Sequence, residues 1–217
     1  MRDRFDEQLM LLNKKMTEMG ALCEEVIALS AKALEECDPA LAERVAPRDS
    51  EIDSMERDIE TLCLRLLLQQ QPVARDLRQI SAALKMIADM ERIGDQAADI
   101  ADIVPHLSAP PDGRCGPIRD MARAVIRMVT ESVDAYVRRD TALAEAVIRQ
   151  DDGVDDYFDR VRHALTALIA QDPGEGERAL DLLMIAKYFE RIGDHSTNIA
   201  EWVVFAVTGV HNGVEEL

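Results

Sequence analysis

The chain has 217 residues, 42 of them acidic and 25 basic, which gives a formal net charge of −17. A surface this acidic repels the phosphates of nucleic acids and the headgroups of anionic lipids, so we expect direct binding to neither. Aromatic residues make up only 4% of the chain, and a core with so few rings favours packed helices over a sheet.

Apolar residues recur at three- and four-residue steps along most of the chain, which predicts helices. Prolines and glycines concentrate in one stretch, 105–117, which indicates a linker. The pattern predicts six helices, with limits near 5–38, 39–70, 72–103, 118–139, 142–170 and 175–208. We therefore predict an all-α fold.

The second half of the chain repeats the first. Residues 38–45 (DPALAERV) align with residues 140–147 (DTALAEAV) at an offset of 102, and the five residues 91–95 (ERIGD) are identical to 190–194 at an offset of 99. The offset changes at the turn between the second and third helices, where loops tolerate deletions. The duplication predicts two tandem, pseudo-symmetric three-helix bundles, at 1–107 and 118–217, joined by a linker at 108–117.

Each half carries two pairs of acidic residues with i, i+4 spacing, which places both carboxylates of a pair on one helix face. The two pairs of one half lie about equally far from the turn that joins their helices, so we expect them to face each other. The pairs are Asp49/Asp53 and Glu91/Asp95 in the first half, and Asp151/Asp155 and Glu190/Asp194 in the second. Four further acceptors continue the faces of the third helix in each half: Asp99, Asp102, Asn198 and Glu201.

Carboxylates beside an apolar core need positive partners. Two hypotheses stay open on spacing alone: ion pairs with Arg92 and Arg191, or bound metal ions. An all-oxygen ligand set suits hard cations such as Mg²⁺, Mn²⁺, Ca²⁺ or ferric iron better than zinc. Gly94 and Gly193, which lie inside predicted helices, indicate either a packing notch or close approach by a neighbouring helix or bound ions.

Localisation follows from what the sequence lacks. Its four cysteines have no close spacing typical of zinc or redox pairs, and we expect them to be reduced. The first residues contain no apolar signal segment, and no run approaches the roughly 20 apolar residues of a membrane span. We predict a cytoplasmic protein that reaches the inner face of the membrane only through protein partners. The sequence does not locate the partner surface, although the apolar end around Trp202, Val204 and Phe205 is a candidate.

The paired motifs at 91–100 and 186–200 resemble the twin signatures of the PhoU family of phosphate-uptake regulators, and the resemblance extends from about Phe5 to Gly209. It implies multinuclear metal clusters, reported in the family with iron or zinc. The sequence itself does not distinguish iron, zinc, manganese and magnesium. Asn198 stands where the first half has Asp99, so the second site has one charge fewer. The ligands implied by the family motif are Asp49, Asp53, Glu91, Asp95, Asp151, Asp155, Glu190 and Asp194.

The same resemblance implies a regulator that is commonly dimeric and acts with a phosphate ABC transporter and a sensor histidine kinase. Such proteins repress the phosphate-starvation response when phosphate is plentiful. Two alternative functions stay open beside this one: a carboxylate-bridged di-metal enzyme and a metal-free helical adaptor. Di-metal enzymes in helical bundles use Glu-x-x-His motifs, which the acidic faces lack. We therefore predict a regulator that is not an enzyme.

Overall fold

The computed structural model describes residues 2–70, 72, 74–211 and 214–215, and it confirms the all-α prediction. Three-residue 3₁₀ turns lie at 104–106, 113–115 and 173–175, and a two-residue antiparallel pairing of β1 (Val210–His211) with β2 (Val214–Glu215) follows the last helix. The α-helices are α1 (Arg2–Glu36), α2 (Pro39–Ala42), α3 (Val45–Gln70), α4 (Ala74–Ile103), α5 (Ile118–Arg138), α6 (Thr141–Gln171) and α7 (Gly176–Thr208).

The repeated sequence encodes the same helix start in both halves. The carboxylate of Asp38 accepts a hydrogen bond from the backbone N–H of Ala40 at 2.8 Å, and that of Asp140 accepts one from Leu143 at 3.0 Å. Both are N-caps, which satisfy an otherwise unpaired donor in the first helical turn. The residue before each cap, Cys37 or Arg139, has a positive φ, of 49° and 56°.

The second helix differs between the halves, and the prediction of one unbroken helix from Pro39 to Gln70 is wrong. The chain leaves α2 after Ala42 and enters α3 at Val45, whereas α6 is continuous. Pro47 explains the break, because its ring clashes with the carbonyl four residues earlier, at Glu43, and it has no N–H to bond that carbonyl. The equivalent position in the second half is Arg149, which keeps its N–H.

The two three-helix bundles pack side by side. The most extensive helix–helix contact joins α4 to α7, and α1 packs against α5. At Gly20 of α1, an added Cβ would come within 2.9 Å of the Val133 side chain of α5, so the glycine permits this close approach. Buried residues of both halves form one continuous core, rich in Leu, Ile and Met. The division into units at 1–107 and 118–217 therefore stays a prediction.

The segment between the halves is fixed to the second bundle. Arg178, in the first turn of α7, is only 7% exposed. Its guanidinium donates to the carbonyl oxygens of Ala109 at 3.2 Å and Pro110 at 2.6 Å. At Gly116, whose φ is 78°, a Cβ would lie 3.1 Å from the Cα of Val161 in α6. The segment predicted as a linker is thus packed against α6 and α7.

The structure also bears on two further expectations from the sequence. Over the part of the chain that the structure describes, no helix has the length and apolar character needed to cross a bilayer. Phe205 does not belong to the candidate partner surface around Trp202 and Val204, because it is only 2% exposed. Phe205 packs edge-on against Trp202, with 5.6 Å between the ring centroids.

Candidate functional site

The predicted acidic residues of the first half come together where α3 packs against α4. We call Asp49, Asp53, Glu91 and Asp95 cluster one. Burial, followed by the charges of Asp53, Asp95 and Asp99, raises the pKa of Asp49 from an ordinary 3.8 to about 6. The pKa of Glu91 is raised by burial and by its neighbour Asp95, with a smaller contribution from Asp53. Both predicted pairs therefore act on each other across the helix hairpin.

Gly94 makes room for Asp49. A Cβ on Gly94 would lie 2.5 Å from Oδ1 of Asp49 and 3.1 Å from Cδ1 of Ile52. That Oδ1 atom is buried and accepts no hydrogen bond from any described residue. A buried, unbonded carboxylate oxygen among like charges is costly, and a cation at this place would remove the cost. The donor chemistry of cluster one therefore fits a hard metal ion.

The ion-pair hypothesis holds for the outer side of cluster one. Nη1 of Arg92 lies 2.7 Å from Oδ2 of Asp95, and its Nε lies 3.3 Å from Oε2 of Glu91. The Arg92 side chain is 58% exposed, so it neutralises these acids from solvent. No cationic side chain in the described ranges forms an ion pair with Asp49 or Asp53. Arginine alone does not satisfy cluster one.

Cluster two consists of Asp151, Asp155, Glu190 and Asp194, on α6 and α7. Burial and the charges of Asp194 and Asp155 raise the pKa of Asp151 to about 6. Oδ1 of Asp151 would lie 3.5 Å from a Cβ on Gly193, which repeats the arrangement at Gly94 with more space. Asp155 and Asp194 are exposed, so cluster two is a solvent-facing site and its acids do not all point inward.

The two clusters differ in charge because of two substitutions between the halves. Lys187 of α7 pairs with Glu190 and lies 5.4 Å from the centre of the Phe158 ring. The equivalent positions in the first half are Ala88 and Glu56. Burial raises the pKa of Glu56, and the charges of Glu60 and Asp53 add to the rise. Cluster one therefore has an additional acid nearby, Glu56, whereas cluster two has an exposed lysine that pairs with Glu190.

The clusters are open faces of their helix hairpins. Among the residues that the structure describes, no three His, Cys, Asp or Glu side chains already stand in a metal-binding arrangement. A bound ion would have to draw the carboxylates together, and it would reduce the repulsion between them. The eight predicted ligands remain a prediction that the carboxylate groupings support.

The family model of the PhoU domain matches the chain twice, over residues 16–104 and 118–203. The chain belongs to the PhoU family. It is 35% identical, over 96% of both chains, to the phosphate-specific transport system accessory protein PhoU homolog of Clostridium acetobutylicum. It is also 35% identical to the homolog of Pseudomonas aeruginosa, over 95% of this chain and 86% of that one.

Two solved PhoU structures have the same fold. The crystal structure of PhoU from Pseudomonas aeruginosa gives a TM-score of 0.90 at 35% identity, covering 95% of this chain and 100% of that one. The phosphate transport system regulatory protein PhoU from Streptococcus pneumoniae gives a TM-score of 0.86 at 26% identity, covering 95% and 98%. The prediction of two tandem PhoU-like bundles is confirmed.

The further acceptors predicted beside the PhoU motifs divide into two groups. Asp99 is half-buried next to cluster one, where burial and Asp95 raise its pKa while Arg191 of α7 opposes the rise. Asn198 instead donates to Oδ1 of Asp89 at 3.1 Å, across the interface between α4 and α7. Asp102 is exposed and its charge adds to the rise in the pKa of Asp99, whereas Glu201 is half-buried.

Asp89 is a contact residue that sequence reasoning missed. Its Oδ1 lies 2.9 Å from Nδ1 of His195, which directly follows the second PhoU motif. The equivalent of Asp89 in the second half is Tyr188, so comparing the halves gives no signal. Burial raises the pKa of Tyr188, and nearby Asp99 adds to the rise. The pairs Asp89/Asn198 and Tyr188/Asp99 thus occupy equivalent positions under the repeat.

The raised pKa values of Asp49 and Asp151 predict how stability depends on pH in protein freed of metal by a chelator. Each group binds its proton more tightly in the folded state, so its contribution is lost as pH rises through about 6. We expect Tm to be higher at pH 5 than at pH 7.5 by roughly 2–4 °C, after allowing for partial exposure. Differential scanning calorimetry of Asp49→Asn/Asp151→Asn should show a smaller difference, and an unchanged difference would contradict the assignment.

Proposed function

We propose that the protein is a non-enzymatic regulator of phosphate uptake, accessory to a phosphate ABC transporter. The observation that carries the proposal is the match to the PhoU family along both halves of the chain. Curated relatives that cover 96% of the chain are named accessory proteins of the phosphate-specific transport system. In this proposal the protein works in the cytoplasm as a homodimer and is recruited to the membrane by its protein partners.

The regulatory action is proposed to be negative and to pass through a sensor histidine kinase. When phosphate is plentiful, the protein would keep the kinase from activating starvation genes. This role needs surfaces for two partners and no chemical step. Both acidic clusters lie on open helix faces, where partner contacts and cation binding can influence each other.

The cluster geometry supports a second proposal, that clusters one and two bind metal ions. The supporting observation is the buried, unbonded Oδ1 of Asp49 in a group of mutually repelling acids. A bound cation would supply positive charge between α3 and α4, and between α6 and α7, and would stabilise each hairpin. Cluster one, with Glu56 nearby and no lysine, is the stronger candidate of the two.

Deleting the gene tests the regulator proposal. We expect a phosphate-starvation reporter, silent in the wild-type host at high phosphate, to become active in the deletion strain. Restoring the gene should silence the reporter again. Reporter activity that stays low after deletion would remove the proposed role.

Metal analysis tests the second proposal. Protein purified without chelator should contain metal, and Asp49→Asn/Asp151→Asn should lose most of it, because both changes remove the central carboxylate of a cluster. The matched control, Asp58→Asn/Asp156→Asn, removes two exposed charges from the same helices and should retain the metal. Near-zero metal in all three proteins would favour the metal-free adaptor, and equal, substantial metal in all three would show that the metal binds outside clusters one and two. Inductively coupled plasma mass spectrometry gives the element and the count.

A further inference from the structure

The first turns of α7 present a solvent-facing stripe in which acidic and apolar residues alternate. Glu177, Leu180, Asp181 and Met184 have i, i+3, i+4, i+7 spacing and so lie on one helix face. Leu180 is 59% exposed and Met184 is 45% exposed. Large apolar side chains grouped on an exposed helix face mark partner-binding surfaces more often than isolated ones do.

This stripe borders a cleft of about 880 Å³ between α7, the turn before it and the segment that joins the halves. We call it the α7 cleft. Its charged lining consists of four carboxylates and one guanidinium: Asp172, Glu175, Glu177, Asp181 and Arg178. The apolar side chain of Leu180 also lines the cleft. The cleft thus combines a negative wall with an apolar contact.

Its negative charge is only partly neutralised from within the chain, because two arginines reach Glu175. Nη1 of Arg178 lies 2.9 Å from Oε2 of Glu175, and the rest of its guanidinium bonds the linker carbonyls. Among the described residues, neither Glu177 nor Asp181 forms an ion pair or a side-chain hydrogen bond. A cationic side chain of a partner can therefore pair with the carboxylates of Glu177 and Asp181, which lie on either side of Leu180.

We propose that the α7 cleft docks a Lys- and Arg-rich helical segment with an apolar face, carried by a membrane-protein partner. This inference rests on the proposed function, in which the partner is a transporter in the membrane. Cytoplasmic loops of membrane proteins carry an excess of Lys and Arg, which complements the acidic wall. A docked amphipathic helix presents its contact residues at i, i+3, i+4 and i+7, and the exposed Leu180 and Met184 offer it apolar contacts. Opposite charges also speed association and fix its orientation.

The α7 cleft is separate from the proposed metal sites. Asp181 precedes Glu190 of cluster two by nine residues, which is about 14 Å along a helix. Substitutions at Glu177 and Asp181 should therefore leave metal content unchanged, and docking can be measured independently.

The test measures binding of a labelled synthetic peptide by fluorescence anisotropy, using the purified full chain. The peptide is an amphipathic helix of about 15 residues with Lys on one face and Leu on the other. Glu177→Gln/Asp181→Asn should weaken binding at least fivefold, on the order expected for two charge contacts. The control Asp6→Asn/Glu7→Gln makes the same change of charge at two exposed positions in α1 and should alter binding less than about twofold.

A second pair of variants, one test and one control, measures the contribution of the apolar contact. Leu180→Ala should weaken binding, whereas Leu68→Ala, at a position 83% exposed on α3, should not. Equal losses in test and control variants would show non-specific attraction to an acidic protein and overturn the proposal, as would unchanged binding by the test variants. The assay needs no phosphate signalling, so a negative result here leaves the regulator proposal to be decided by the gene deletion.

Discussion

Replacing Arg178 with methionine is expected to lower the free energy of unfolding by about 2–4 kcal/mol. The side chain is 6% exposed and lies 2.9 Å from Glu175. Methionine has a similar volume but cannot donate hydrogen bonds to the carbonyls of Ala109 and Pro110. It also removes the cation that pairs with the partly buried Glu175. Detachment of the segment that joins the halves would uncover Cys115, which is fully buried. Urea unfolding followed by circular dichroism measures the loss.

Arg114→Met is the matched control for Arg178→Met. Arg114 also pairs with Asp112 and Glu175, but its side chain is 56% exposed. Exposed ion pairs contribute little, so we expect a loss of less than about 1 kcal/mol. Labelling of Cys115 by a thiol reagent under native conditions should speed up in the Arg178 variant alone. Similar unfolding curves for both variants would show that the guanidinium does not fix the linker.

The second large effect is expected at Gly94. Gly94→Ala places a Cβ 2.5 Å from Oδ1 of Asp49, so the carboxylate must move away. We expect metal affinity at cluster one to fall by about tenfold or more, as for other changes that misplace a ligand. The clash should also outweigh the roughly 1 kcal/mol by which alanine favours a helix over glycine. Isothermal titration with metal and thermal unfolding measure the two effects.

The second half of the chain provides the control. Gly193→Ala brings its Cβ to 3.5 Å from Oδ1 of Asp151 and 3.3 Å from Cγ1 of Val154, which requires only a small adjustment. We expect nearly unchanged metal binding at cluster two and a small change in stability of either sign. If the two glycine variants behave alike, the close approach of Asp49 is not what requires Gly94.

Local features of the sequence predicted most of the fold. Apolar periodicity and turn residues placed the helices within a few residues, because each helix buries one face in a common core. The duplicated motifs also identified the acidic pairs that the structure brings together. The break after Ala42 was missed although Pro47 encodes it, because the preceding residues favour helix individually. The break is predicted only when the ring of Pro47 is set against the carbonyl of Glu43, four residues earlier, which it obstructs.

Contacts between distant elements could not be predicted in the same way. The contacts of Asp89 with His195 and of Arg178 with the linker depend on where α4 and α7 are placed in the folded chain. The periodicity of the sequence carries no information about that placement. The apolar run near Trp202 is a candidate surface from the sequence, yet Phe205 is in the core. Hydrophobicity alone does not tell a buried helix end from an exposed one.

The pairing of equivalent positions between α4 and α7 relates the two halves of the chain by an approximate two-fold axis. Asp89 accepts a hydrogen bond from Asn198, and at the equivalent positions the charge of Asp99 acts on Tyr188, as expected for two units related by a two-fold axis. The two halves are thus arranged as two copies of one three-helix unit joined end to end. Because both copies are in one chain, each position can differ between the halves, as Lys187 and Ala88 do. Fragments cut within 108–117 are therefore expected to recombine when co-expressed.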